Sequence, residues 1–159
     1  MVQTLANWGE FLGEIAVVVS LLYVGIQVRS SVRQSRVDSY TRISELWSQW
    51  TSMVASDDET SRIYYQGTQD FDSLNAVERT RFNLIIGMYF GIFETIIVHE
   101  KSGAYDPETF RRNLNTAYAV FTRPGVQAWW QKNEGRAFAP DTEKYLLSRR
   151  EAEASNAVE

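Results

Sequence analysis

The sequence predicts an all-α protein: one N-terminal transmembrane helix that continues into a long helix, followed by a small cytoplasmic helical bundle. Three observations carry this. Residues 11–28, FLGEIAVVVSLLYVGIQV, hold a single acid, Glu14, and no base or proline. The helical period continues beyond them without a Gly or Pro as far as Ala55. The remainder is divided by helix caps, with no alternating strand pattern between them.

The first element follows from length. Eighteen residues rising about 1.5 Å each make about 27 Å, close to the roughly 30 Å hydrocarbon core of a bilayer. A cleaved signal peptide is the weaker expectation, because MVQTLANWGE has no basic residue and no small-x-small cleavage pattern follows the apolar run. Arg29, Arg33, Arg36 and Arg42 come after the run and no base precedes it. The positive-inside rule then places the N-terminus outside and the C-terminal side in the cytoplasm, with Trp8 at the outer interface. The same arginines are candidates for contact with anionic lipid.

Projection at about 100° per residue separates the faces of this helix. Phe11, Leu12, Ile15, Val18, Val19, Leu22 and Ile26 form an apolar, lipid-facing arc. Gly9, Gly13, Ala16, Ser20, Tyr23 and Gln27 form a small or polar stripe on the other side. Small residues let helix backbones approach where lipid gives no hydrophobic drive for association, so this stripe is the expected oligomer interface. Glu10 and Glu14 flank it as candidate pore or proton sites. An ionised carboxylate inside a bilayer is costly unless it faces protein or water, and snorkelling to the interface is the other reading of both acids.

Beyond the membrane, Val32, Val37, Tyr40, Ile43, Trp47, Trp50 and Val54 recur at three- and four-residue spacings, so the helix is expected to run from about residue 5 to 55. Ser56-Asp57-Asp58-Glu59 ends it and opens a short helix over about 59–66, with Gly67 as its stop and a solvated loop, TQDFDSLN, after it. Asp70 and Asp72 are a metal pair only in an outside reading. Asn75 and Glu78 form a capping-box pattern opening a helix over about 76–102, with Gly103 as its C-terminal stop. Its middle is apolar nearly all round, as expected of a buried central helix, with Gly87-x-x-x-Gly91 permitting a close crossing. Glu94 reads as a buried or interfacial acid with a hydrogen-bond partner, and a binding role is its alternative.

Asp106-Pro107-Glu108 is a strong start signal for a helix carrying Phe110, Leu114, Tyr118 and Phe121. Pro124-Gly125 breaks it before a short helix with Trp129 and Trp130, read as core packing rather than ligand stacking and ending near Gly135. Ala139-Pro140-Asp141 starts the last helix. The expected division is 1–28 for the N-terminal segment and span, 29–150 for the bundle and 151–159 for a frayed tail.

Composition narrows the chemistry. With no Cys and one His, thiolate catalysis, Cys-His pairs and multi-His metal sites are excluded. No phosphate-binding glycine loop, HExxH or nucleophile elbow occurs. No catalysis, cofactor or metal is expected. A net charge of -4, with only residues 29–50 basic, argues against nucleic acid as a partner.

The segments LANWGEFLGEIAVVVSLLYVGIQVRSSVRQSR, DSLNAVERTRF and GVQAWWQKN together resemble a set of small bacterial proteins with an N-terminal membrane helix and an all-helical domain. The resemblance implies an anchored helical body in a bacterial inner membrane and transfers no catalytic residue. The expected function is a membrane-anchored, self-associating helical scaffold or an accessory subunit of a membrane complex. Its partners are then the lipid bilayer and further copies of the chain or another membrane protein. The alternative is a homo-oligomeric pore or ion channel lined by the first helix, in which Val17, Leu21, Val24 and Val28 interrupt the polar sector as a hydrophobic gate.

Overall fold

The computed structural model describes residues 2–133, 138 and 140–156, with side chains for 16–132, 138 and 140–149. The described residues form six α-helices and one short 3-10 turn, with no strand: α1 Val2–Ala55, α2 Asp58–Gln69, the 3-10 turn Phe71–Ser73, α3 Ala76–Lys101, α4 Pro107–Phe121, α5 Pro124–Asn133 and α6 Pro140–Asn156. The chain divides into two compact units, Met1–Asp38 and Ser39–Glu159.

The first unit is the N-terminal part of α1. Every residue with a described side chain in it, 16–38, is exposed, including Leu22 at 64% and Ile26 at 68%. Trp8 lies outside the described side chains. α1 and α3 are both long and apolar enough to cross a membrane, but half of the apolar stretch of α3 is buried within the protein, against none of that in α1. α3 is thus accounted for as a core helix, whereas the described apolar residues of α1 before Ser39 are exposed.

In the second unit, α3 is the axis. Phe82, Ile86, Phe90, Phe93 and Ile96 are fully buried, and the remaining helices pack around them. The end of α1 joins this core from Ser39 onward: Ile43 is buried, while Leu46, Trp47, Trp50 and Val54 pack half-buried against it. Val32, Val37 and Tyr40, which continue the same sequence period, remain exposed. Trp50 is fixed by an indole N–H donated to the Ile85 carbonyl at 3.0 Å.

Two aromatic groups meet on α3. Trp47 and Trp50 lie edge-on to Tyr89, with ring centroids 5.0 and 5.2 Å away. On the next residue, Phe90 stacks on Trp129 and meets Trp130, Phe121 and Phe138 edge-on. Trp129 and Trp130 are therefore core residues, 3% and 7% exposed. Such ring pairs add about 0.5–1.5 kcal/mol each beyond the area they bury.

The caps follow the sequence closely. Asp57 accepts from the Thr60 backbone N–H at 2.8 Å. Asn75 and Glu78 complete a reciprocal capping box. Asp106 caps α4 with Pro107 at its first turn. Gly103, at φ 71°, takes the left-handed conformation that ends α3 and that only glycine adopts freely.

Several local expectations are corrected. α2 does not stop at Gly67 but continues to Gln69, and Gly67 is a buried helical residue. The segment after it is not a solvated loop, since Phe71 and Leu74 are 5% and 2% exposed and anchor it to the core. Gly87-x-x-x-Gly91 does not mark a close crossing: a Cβ at either glycine would meet nothing within 4 Å. The helix α6 reaches Asn156, into the segment expected as a tail, and Gly135 and Ala139 lie outside the described residues.

Candidate functional site

The candidate face on α1 is built by helical spacing alone. Ala16, Ser20 and Val24 succeed one another at four-residue steps, and the short side chains of the first two leave a shallow groove beside Val17 and Leu21, about 280 Å³ in volume. Ser20 donates its hydroxyl to the Ala16 carbonyl at 2.7 Å. That bond satisfies, from within the helix, the one polar side chain among the described residues of the groove.

Of the expected interface residues, the structure brings Ala16 and Ser20 together in this groove, whereas Tyr23 and Gln27 are exposed and do not line it. Gly9 and Gly13 lie on the helical backbone of α1, and their surroundings fall outside the described side chains, as do Glu10 and Glu14. Arg29, Arg33 and Arg36 are exposed along the same unit. Gln34 and Asp38 are hydrogen-bonded at 2.8 Å one turn apart.

Elsewhere the polar residues singled out in the sequence have structural partners. The Ser39 hydroxyl and His99 Nδ1 are hydrogen-bonded at 3.1 Å, tying the end of α1 to α3. Glu94, half-buried, lies five residues before His99 and on a different side of α3. Asp70 is the N-cap of the 3-10 turn, accepting from the backbone N–H groups of Asp72 and Ser73. Asp72 instead pairs with Lys132 and Arg79, and the hydrogen bond from Lys132 holds its carboxyl below the usual carboxylate range. Among the described residues no cluster of three or more His, Asp or Glu is placed to hold a metal ion.

Burial pushes the Tyr89 phenol up, well above its usual value. Its hydroxyl donates to the Thr116 carbonyl at 3.3 Å, which makes it a neutral packing group at physiological pH.

One concavity was not anticipated. Between α4 and α6 lies an open cleft of about 580 Å³ lined by Glu108, Arg111, Arg112, Asn115 and Arg149. The α4 residues share a face at spacings of three and four, a signal present in the sequence, but it is indistinguishable there from an ordinary solvated helix surface. The arrival of Arg149 from α6 is a tertiary event that no local pattern encodes.

No protein-family model, curated protein or solved structure matches this chain.

Proposed function

We propose that this protein is a membrane-anchored helical scaffold, or an accessory subunit of a larger membrane complex, that self-associates through the small-residue face of α1. The observation that carries the reading is that every residue from 16 to 28 is exposed, Val17, Leu21, Leu22 and Ile26 among them. Removing such a surface from water is worth about 25 cal/mol per Å², and a lipid bilayer is the environment that covers it on all sides.

The interface of this reading comprises Gly9, Gly13, Ala16 and Ser20, with the groove between Ala16 and Val24 receiving a neighbouring helix. Arg29, Arg33 and Arg36 hold the orientation, with the N-terminus outside and the bundle in the cytoplasm of a bacterium whose inner membrane carries the anchor. No catalytic step belongs to this reading. The pore alternative is less well supported, because the groove is lined by Val17, Leu21 and Val24 and its hydroxyl is turned back on the Ala16 carbonyl.

The test is the mass of the complex extracted gently from its native membrane, with every component identified. Copies of this chain alone, or this chain with another membrane protein, support the scaffold and accessory forms respectively. A monomer recovered in the soluble fraction would overturn both.

A further inference from the structure

We propose that α3 pairs side by side, in the same direction, with α3 of a second copy of the chain, through the outer face that runs from Val77 to Val98. At about 100° per residue, Val77, Thr80, Leu84, Gly91, Thr95 and Val98 fall with Gly87 inside an arc of about 80° that holds no charged residue. Val77, Leu84 and Val98 are 66%, 71% and 61% exposed, although α3 is otherwise the buried axis of the bundle. Both hydroxyls on this face are turned back on the helix: Thr80 donates to the Ala76 carbonyl and Thr95 to the Gly91 carbonyl, each at 3.0 Å. An apolar surface whose polar side chains are already satisfied gains by leaving water and gives up no hydrogen bond in doing so. Between the raised side chains, Gly87 and Gly91 open a step, for a Cβ at either would meet nothing within 4 Å among the described residues. Within one chain the glycine pair crosses no helix; against another helix it lets the two backbones approach closely.

Size and direction identify the occupant as a second copy. The face is about 32 Å long and about 10 Å wide, so two of them hide well under the roughly 1,200 Å² that holds freely diffusing proteins together. A foreign protein arriving from dilute solution gains too little from it, and a chain alone in its micelle leaves it unpaired. Copies already gathered in one membrane differ, because their second contact forms at an effective concentration of about millimolar. This step rests on the membrane reading of α1. Direction follows from the bundle itself: Ser39 is hydrogen-bonded to His99 and Trp50 to the Ile85 carbonyl, so the end of α1 runs opposite to α3. The chain therefore enters the bundle beside the C-terminal end of α3. A parallel α3 pair places both points of entry at one end, as two anchors in one bilayer require, whereas an antiparallel pair sends them to opposite ends. Like residues then meet across a two-fold axis, Gly87 and Gly91 each facing its own counterpart.

The chain has no Cys, so single cysteines report contacts between copies without background. The full chain, expressed in bacterial membranes, is oxidised with copper phenanthroline, and the disulfide-linked dimer is measured for Gly91→Cys on α3, Ser20→Cys on α1 and Tyr65→Cys on α2. Tyr65, 68% exposed, reports random encounters, and tryptophan fluorescence confirms that each variant is folded. Gly91→Cys is expected to give about fivefold more dimer than Tyr65→Cys, or better, and a further Gly87→Leu substitution to abolish the excess by holding the helices apart. Dimer through Ser20→Cys but none above background through Gly91→Cys overturns the α3 pair and leaves the α1 reading standing. Background levels from both overturn the two together. Gly91→Cys chains that link to Leu84→Cys chains but not to one another reveal an antiparallel register, which overturns the parallel pair.

Discussion

Gly125 of α5 lies against Gly67 of α2 so closely that a Cβ on Gly125 would sit 2.0 Å from the Gly67 carbonyl oxygen. Gly67 is confined on its other side as well, where a Cβ would come within 2.3 Å of the Phe82 ring. The backbones of α2 and α5 therefore touch, with α3 behind them. Arg123, just before α5, reinforces the contact by donating to Thr68 Oγ1 at 3.3 Å.

Replacement of Gly125 by Ala has no flexible neighbour to displace, because the atoms it meets are backbone. Gly125→Ala is expected to destabilise the bundle by about 1–3 kcal/mol, the usual cost of overpacking. Urea titration of the detergent-solubilised chain, followed by tryptophan fluorescence, reads this as a lower midpoint. A midpoint equal to that of the native chain would show that α5 is not held against Gly67.

Gly91 behaves in the opposite way. It is a helical glycine in α3 with open space where its side chain would be. Gly91→Ala removes the entropic penalty of glycine without a clash and should stabilise the chain by about 0.5–1 kcal/mol. The same urea titration decides the sign, and a loss of stability would mean that another molecule packs on this face of α3.

The Trp129 indole N–H donates to Asn83 Oδ1 at 2.6 Å, and Trp129 is only 3% exposed. Asn83→Ala leaves that donor in the core without its acceptor, at a cost of roughly 1–3 kcal/mol. Asn83→Asp retains an acceptor and should restore most of the loss. Equal destabilisation by both substitutions, measured by thermal unfolding, would count against the hydrogen bond as the cause.

Several caps and ion pairs also set the response to acid. Hydrogen bonds from Thr60 lower the Asp57 carboxyl, that from Lys132 lowers Asp72, and those from Arg62 and the Asn75 backbone lower Glu78. Each folded carboxyl titrates below its unfolded counterpart, so the unfolded chain binds more protons on acidification. The stability these groups contribute is present above the unfolded values, near pH 4, and is lost as pH falls through the folded ones. Glu78→Gln should flatten the fall in melting temperature between about pH 5 and pH 3, and an unchanged slope would remove Glu78 from the account.

Those caps were legible because they are local: Asp57, Asn75 with Glu78, and Asp106 with Pro107 act within one turn of the residues that name them. Glycine was the least legible residue, since its meaning depends on what stands beside it. Gly67 reads as a helix stop and is instead a contact point for α5, whereas Gly87 and Gly91 read as a contact and face open space. The apolar residues of the TQDFDSLN segment were missed for a related reason: Phe71 and Leu74 are held by a core that no short window contains. On α1 the grouping of Ala16 and Ser20 followed from helical spacing, which one chain possesses by itself.

That face supplies the last prediction. Filling the groove with a branched side chain should prevent a second helix from seating, whereas a comparable change on the opposite face should not. Ser20→Leu and Gly13→Leu are expected to lower the oligomer order in mild detergent, and Leu22→Phe, on the apolar arc that the proposed reading turns to lipid, to leave it intact. Light scattering coupled to size-exclusion chromatography distinguishes these outcomes. If Ser20→Leu and Leu22→Phe give the same mass as the native chain, assembly is driven by the bundle or by a foreign partner. Glu14→Gln then separates the two uses of a successful interface: a scaffold keeps its mass without the carboxylate and shows no conductance to lose, while a pore keeps its mass and changes its current.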